Sequence, residues 1–414
     1  MERITAHYYI ETPFDPESAA QVLAGEQSSG TFVAVPGETA ELKERFAARV
    51  EAVELMESVK EPAIPGAVSK TGLYHRAKVA VSWSTENFGT NLPVMVSTLQ
   101  GNLYEIRQFT GLKLMDIDLP SSYANNFAGP RFGVDGCRKL TGVYNRPLIG
   151  TIIKPSIGMS PEQTATLVKT LVEAGIDFIK DDELLGSAAN SGFDDRVDRI
   201  MRVINEHADK TGKKVMYAFN LSDEVDAMLS HYDKIVNSGG TCAMISINSV
   251  GLSAAKKIID QGVLAIHAHR NGWGMLNRHP LLGIEFPAYQ TIWRLAGVDQ
   301  LHVNGIKNKF WESDDSVVRS IKSCLQPQPG VPVLPVVSSG QWGGQAPETY
   351  RRTNTTDLLY MAGGGILAHP DGPTGGVVAL QQAWQAAVDG LSIEEAAQQY
   401  PEFGKSVEKF GGEK

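Results

Sequence analysis

Short apolar runs recur along the last two-thirds of the chain, at residues 148–154, 176–180, 214–220, 242–248, 263–267, 300–304, 331–337 and 357–361. Between them the apolar positions fall at helical spacing, for example over 161–174, 195–211, 253–261 and 315–324. Runs of this length, mostly apolar and separated by amphipathic stretches, predict parallel strands buried on both sides. Eight such units across roughly 220–250 residues have the size and rhythm of a (β/α)8 barrel. An open doubly wound sheet is the alternative, but no Gly-x-Gly-x-x-Gly follows an early strand. The final stretch, with a helical pattern over 377–388, is expected to pack outside the barrel as a helical tail.

Residues 1–128 follow another rhythm. Strands are expected over 7–11, 31–35, 76–83, 93–98 and 113–118. A helix over 16–23 carries Ala19, Ala20 and Leu23 on one side, and a long amphipathic helix is expected over 40–58. Strands and helices mixed without regular alternation suggest an antiparallel sheet with helices on one face. The predicted class is therefore α/β: an N-terminal α+β, ferredoxin-like domain over 1–128 and a (β/α)8 TIM barrel with a helical tail over 129–414.

Composition narrows the picture. The 414 residues are 42% hydrophobic and 21% charged, enough for two cores. The net charge of −9 is spread without a basic stripe, which argues against nucleic acid as a partner. No apolar run approaches membrane-spanning length, and Met1-Glu-Arg-Ile-Thr-Ala6 lacks a signal-peptide core. Cys137, Cys242 and Cys324 are scattered without metal-ligand spacing and read as reduced thiols of a cytoplasmic protein.

Barrel chemistry gathers at the carboxyl ends of the strands, and here those ends are polar. They carry Lys154, then Lys180 with Asp182 and Glu183, then Asn220, Asn248, His267, His269, Arg270, Asn304, Ser338-Ser-Gly340 and Gly363-Gly-Gly365. In Gly175-Ile-Asp-Phe-Ile-Lys-Asp-Asp-Glu183 a lysine closes a buried strand and precedes three carboxylates. Carboxylates there also complement a helix dipole. A desolvated lysine, however, loses its charge readily. Its neutral amine reacts with CO2 to a carbamate, which with Asp182 and Glu183 makes an all-oxygen site suited to Mg2+. Lys154 is the candidate base. His269 is either a second proton-transfer group or a partner for a substrate hydroxyl. Gly363 and Gly364, with Ser338 and Gly340 on the neighbouring strand end, leave backbone N–H groups open to a phosphate. Arg270 is a second anion ligand across the mouth.

Together these motifs resemble the large-subunit superfamily of ribulose-bisphosphate carboxylase/oxygenase over nearly the whole chain. Gly150-Thr-Ile-Ile-Lys-Pro-Ser-Ile-Gly158 is similar to the family's first barrel strand with its base lysine, and residues 175–183 to its carbamylated lysine and two metal carboxylates. Ile266-His-Ala-His-Arg270, Leu334-Pro-Val-Val-Ser-Ser-Gly340 and Gly363-Gly-Gly-Ile-Leu-Ala-His-Pro370 match its later strand ends. Glu26-Gln-Ser-Ser-Gly-Thr-Phe32 and Gln100-Gly-Asn102 resemble segments that reach into the neighbouring subunit's site in the family. The resemblance thus implies Mg2+, CO2 held as a carbamate on Lys180, and a homodimer with shared active sites, or a higher oligomer of such dimers. It adds Glu26, Thr31, Asn102, Asn304 and Lys309 to the substrate-binding candidates.

The departures decide the branch. Ser156 stands in place of a second lysine, Asn304 and Trp273 in place of two histidines, and Ser339 in place of a glycine. The loop Gly305-Ile-Lys-Asn-Lys-Phe-Trp311 is shorter, with Lys307 and Lys309 as alternatives for the family's loop lysine. These changes speak against carbon fixation and imply a Rubisco-like protein. Asn102 replaces the lysine base of the branch's methionine-salvage enolases, which brings the chain nearer to relatives acting on phosphorylated branched sugar acids. The expected activity is decarboxylation of a phosphorylated 3-oxo sugar acid through a metal-stabilised enediolate. Enolisation or isomerisation, or transcarboxylation and hydrolysis, of a keto-sugar phosphate is the alternative. A non-catalytic metabolite-binding protein would have let the metal triad erode, and the triad is intact.

Overall fold

In a computed structural model, residues 2–29, 35–327 and 329–412 are described. They contain thirteen strands: β1 (Arg3–Thr12), β2 (Arg49–Val59), β3 (Tyr74–Ser84), β4 (Gly111–Asp118), β5 (Leu148–Ile152), β6 (Phe178–Lys180), β7 (Met216–Asn220), β8 (Cys242–Ser246), β9 (Ala265–His269), β10 (Leu282–Ile284), β11 (Gln300–His302), β12 (Leu334–Val337) and β13 (Leu359–Met361). The chain divides into two units. One runs from the N-terminus to Gly129 and takes in Gly272–Ala296; the other holds Pro130–Asn271, Gly297–Pro327 and the chain from Val331 onward.

The first unit is a five-stranded sheet in the order β10-β4-β1-β3-β2. Its first four strands pair antiparallel, but β10 joins β4 in parallel, so the sheet is mixed rather than purely antiparallel. The added segment is tied in by Lys113. This buried lysine donates to the carbonyls of Asn277 (2.7 Å) and His279 (2.8 Å) and pairs with Glu285 (2.9 Å). The helix Pro16–Glu26 buries Ala19, Ala20 and Leu23, as its spacing predicts.

Two elements of this unit differ from the sequence reading, and the strand expected over 31–35 lies, except for Val35, outside the described residues. The long helix expected over 40–58 ends at Phe46, after which the chain becomes β2. Ala47 turns to an extended ψ of 141°. There its carbonyl accepts from Arg3 (2.9 Å), and Ser28 Oγ accepts from Ala48 N–H (2.8 Å). Pairing of Val50 with Val81, Val53 with Val79 and Glu54 with Lys78 then outweighs a helical propensity that is only a weak prior. The strand expected over 93–98 is the helix Leu92–Leu99, which buries Leu92, Met95 and Leu99 at helical spacing. Asn91 Oδ1 caps it by accepting from Val94 N–H at 3.1 Å. Asn91→Ala should cost about 1 kcal/mol of stability, checked by the denaturation midpoint, while Asn91→Ser should cost a fraction of that.

The second unit is the closed eight-stranded parallel barrel, ordered β11-β12-β13-β5-β6-β7-β8-β9. Phe178, Met216, Met244, Leu334, Val336, Leu359 and Met361 fill its interior, joined by Val134 and Cys137 from the helix Gly133–Thr141. The helix Gly372–Asp389 packs against the helix Pro161–Glu173 outside the strands. No helix among the described residues is long and apolar enough to cross a membrane.

Candidate active site

The end of β6 organises the site, because its four polar residues divide between interior and mouth. Lys180 is 1% exposed. Its Nζ donates to the Asp181 carbonyl (2.8 Å), lies 3.5 Å from Glu183 Oε2 and touches Met244 Sδ at 3.4 Å. Burial pushes its pKa down, against the opposing pull of Glu183, Asp182 and Asp181. Asp181 turns away from the mouth toward the helix Phe193–Thr211, where Tyr217 Oη (2.7 Å), Asn220 N–H (3.0 Å) and Arg196 Nη2 (3.3 Å) satisfy it. That leaves Asp182 and Glu183 as the two carboxylates beside Lys180. Among the described residues no three His, Cys, Asp or Glu side chains form a ready-made cation cage, so two carboxylates and the lysine are the donor set here. Asn220 Nδ2 holds the loop by donating to the Glu183 carbonyl at 3.2 Å.

Lys154 follows β5 by two residues. Its Nζ lies 2.5 Å from Asp182 Oδ2 and 2.8 Å from Ser156 Oγ. The side chain is 45% exposed, so it is less buried than its place after a barrel strand suggested. His269 sits at the end of β9, with Nε2 3.5 Å from Glu183 Oε2. Burial first, and the Lys180 charge second, hold its pKa at about 3, so it is a neutral imidazole.

Arg270 and Asn304 are brought together by a residue the sequence reading missed. Glu312, 4% exposed, accepts from Arg270 Nη2 at 3.0 Å and from Asn304 Nδ2 at 2.5 Å. Ser316 Oγ donates to its other oxygen at 2.9 Å. Asn304 (φ 62°) in turn accepts from Ser339 Oγ at 2.8 Å. Of the two loop lysines, Lys309 lies beside the end of β12, its backbone N–H donating to the Ser339 carbonyl at 3.3 Å. Lys307 and Lys309 are both exposed, and the Lys307 backbone N–H donates to Asp314 Oδ1 at 2.7 Å.

After β13, Gly365 sits where a Cβ would come within 2.6 Å of the Gln341 carbonyl, which is why that position is glycine. Gly364 has open space on its side-chain side, a Cβ on Gly363 would only touch Ile152 Cδ1 at 3.8 Å, and Gly340 has a φ of 78°. Asn248, expected at a strand end, lies instead on a short helix, Ile247–Val250, and donates to the Asn271 carbonyl (2.9 Å). In the other unit, Glu26 and Asn102 are both exposed. Their segments meet where the Gln27 amide donates to the Gln100 carbonyl at 3.5 Å. Thr31 lies outside the described residues.

A closed parallel barrel whose mouth carries a lysine and two carboxylates, preceded by a βαββαβ sheet, defines a family. The chain belongs to that of the ribulose bisphosphate carboxylase large chain, whose catalytic domain matches residues 133–410 and whose N-terminal domain matches residues 2–123. Within it the chain is 48% identical over 411 residues to a 3-oxo-isoapionate-4-phosphate decarboxylase from Rhizobium etli, covering 98% of both chains. It is 50% identical over 403 residues to a 3-oxo-isoapionate-4-phosphate transcarboxylase/hydrolase from Xanthobacter autotrophicus, covering 97% of both. A solved rubisco-like protein from Burkholderia fungorum superimposes with a TM-score of 0.93 at 42% identity, over 99% of this chain and 100% of that one. The reading as an enzyme of the Rubisco-like branch, with decarboxylation first and transcarboxylation or hydrolysis as the alternative, agrees with these names.

Proposed function

We propose that this chain is a cytoplasmic, Mg2+-dependent decarboxylase of a phosphorylated 3-oxo sugar acid, of the kind named 3-oxo-isoapionate 4-phosphate in its relatives. The observation that carries the reading is the desolvated Lys180 beside Asp182 and Glu183, with Lys154 Nζ 2.5 Å from Asp182. Lys180 as its carbamate, with Asp182 and Glu183, would hold Mg2+. When bound, the ion supplies electrophilic stabilisation of the oxygen that becomes negative. Oxygen donors are what a hard cation takes, and Asp182 and Glu183 supply them beside Lys180.

Loss of CO2 from a 3-oxo acid breaks the bond to the carboxyl carbon and leaves the electron pair on the adjacent carbon. Lys154 then delivers the proton that the carbon requires, and the half-exposed position of its ammonium allows replenishment from water. His269, as a neutral imidazole, hydrogen-bonds a substrate hydroxyl. Gly340, Gly363, Gly364 and Lys309 hold the phosphate, and Arg270 with Asn304 borders the opposite end. Glu26, Thr31 and Asn102 match segments that serve a neighbouring subunit in the family, which supports a homodimer with shared sites.

Lys154→Met should slow turnover of 3-oxo-isoapionate 4-phosphate about 10²–10⁴-fold. In a decarboxylase the variant still releases some CO2 and fails mainly in protonation, seen as scrambled deuterium placement in the product. Loss of all solvent exchange from a ketose phosphate, with no CO2 evolved from any oxo acid, would favour an isomerase. Retention of the carboxyl group on an acceptor would point to the transcarboxylase reaction.

A further inference from the structure

The loop after β11 closes on itself. Asn308 Nδ2 donates to the Gly305 carbonyl and to the Glu312 carbonyl, both at 3.0 Å, so one side chain ties the two ends of the loop together. Its Oδ1 accepts from Phe310 N–H at 2.8 Å. Glu312 is thereby delivered to the start of the helix Asp314–Leu325, with its side chain only 1% exposed. There Oε1 accepts from Ser316 Oγ, one turn along, while Oε2 faces Arg270 and Asn304. Both oxygens therefore receive hydrogen bonds. The carboxylate cannot swing out to water without breaking all three and opening the loop.

This arrangement changes what Arg270 can do. A guanidinium is an anion ligand by its chemistry, but this one already has a buried carboxylate 3.0 Å away. A phosphate placed on Arg270 would lie beside Glu312, and like charges held together out of water repel with little screening. Expelling Glu312 instead would sacrifice the loop. His302 adds no positive charge at this end: it is buried, its Nδ1 lies 3.1 Å from Ser338 Oγ, and burial drives its pKa well below the usual imidazole range. The glycine end, by contrast, keeps a cation. The exposed Lys309 runs past Gly340, its Cβ 3.5 Å from where a Cβ on that glycine would sit.

We propose that Glu312 restricts this site to substrates with a single phosphate. It occupies Arg270 as an internal carboxylate, so the end bordered by Arg270 and Asn304 receives an uncharged, hydrogen-bonding part of the substrate, and the phosphate goes to the glycines and Lys309. Glu312 is thus a specificity-determining residue that acts through Arg270 and not on the reacting atoms. This rests on the reading of the substrate as a phosphorylated sugar acid and adds that a second phosphate is rejected.

Diffraction from crystals equilibrated with inorganic phosphate tests the occupancy of Arg270 directly. No phosphate is expected on Arg270 in the unaltered protein. In Glu312→Gln, which removes the charge and keeps the shape, one is expected within hydrogen-bond distance of the guanidinium. Phosphate on Arg270 of the unaltered protein, with Glu312 turned away, would overturn the proposal, and that half of the test needs no variant to fold. An Arg270 that takes no phosphate in Glu312→Gln would overturn it too. In solution, ribitol 5-phosphate and ribitol 1,5-bisphosphate, which have no carbonyl to react, should bind the unaltered protein within about twofold of each other. Glu312→Gln should favour the bisphosphate by about tenfold, the size of one hydrogen bond to a charged group. Adding Arg270→Met should remove that preference. A bisphosphate preference already present in the unaltered protein, or one that survives in the double variant, refutes the assignment. If neither polyol binds while the crystals behave as described, the sugar-phosphate reading fails and the role of Glu312 stands.

Discussion

Replacing Lys180 with methionine is expected to abolish Mg2+ binding and to take turnover down by at least about 10³-fold. Methionine is of similar length, uncharged and apolar, and the site it would enter is 1% exposed and already touches Met244. The fold should therefore survive while the nitrogen that forms a carbamate disappears. Asp182 and Glu183 alone leave the cation one anionic donor short of that set. A metal contributes several kcal/mol to charge stabilisation, and each 1.4 kcal/mol is worth a factor of ten. Titration calorimetry with Mg2+ and the carbamate signal from 13C-labelled bicarbonate read the outcome independently of catalysis. A Lys180→Met protein that binds Mg2+ as tightly as the parent would sink the carbamate assignment.

The largest stability effect is expected from Asp181, which looks like a third metal carboxylate in sequence and is none. Asp181→Ala strips Arg196 of its buried counter-charge, both side chains being fully buried, and leaves the Tyr217 hydroxyl and Asn220 N–H without their acceptor. Removing one member of such a pair costs about 3–5 kcal/mol. Arg196 Nη1 keeps the Ser191 carbonyl at 2.7 Å and Nη2 the Gly186 carbonyl at 3.0 Å, so the lower end of that range applies. Adding Arg196→Met to the variant should restore part of the loss, because no unpaired charge then remains buried. Chemical denaturation of the single and double variants compares them. A double variant less stable than Asp181→Ala would show that Arg196 contributes through packing instead.

The barrel was legible because most of its strands are largely apolar and sit at regular intervals, a signal that survives errors of two residues at each end. The strand-end rule then placed Lys154, Lys180, Asp182, Glu183, His269 and Arg270 in one unit without any tertiary information. The opening domain was harder. Residues 40–58 carry good helix formers, and the pairing of the second half with β3, begun where Arg3 and Ser28 hold Ala47 and Ala48, turns it into a strand. Pro93 and the apolar residues after it read equally as strand or helix, and the decisive sign, Asn91 as a cap, lies two residues before that stretch. Glu312 gave little local sign, since the two site residues it joins, Arg270 and Asn304, are 42 and 8 residues away. His302 did leave a trace: Gln300 and His302 alternate with Leu301 as His267 and His269 alternate with Ala268, which in a barrel strand marks polar residues on the inside.

The strand β10 carries a consequence for how this protein can be made and inherited. Its partner β4 is finished early in synthesis, yet β10 emerges only after five barrel strands, β5 to β9, have been translated. The N-terminal sheet therefore cannot complete itself on the ribosome ahead of the barrel, the usual order for a leading domain. Until residues 277–285 appear, Lys113 has neither its two carbonyls nor its carboxylate. A chain started at Pro130 would, conversely, contain Leu282–Ile284 with no strand to join. Neither unit can be exchanged between genes as a separate cassette, because each carries a piece of sequence that the other interrupts.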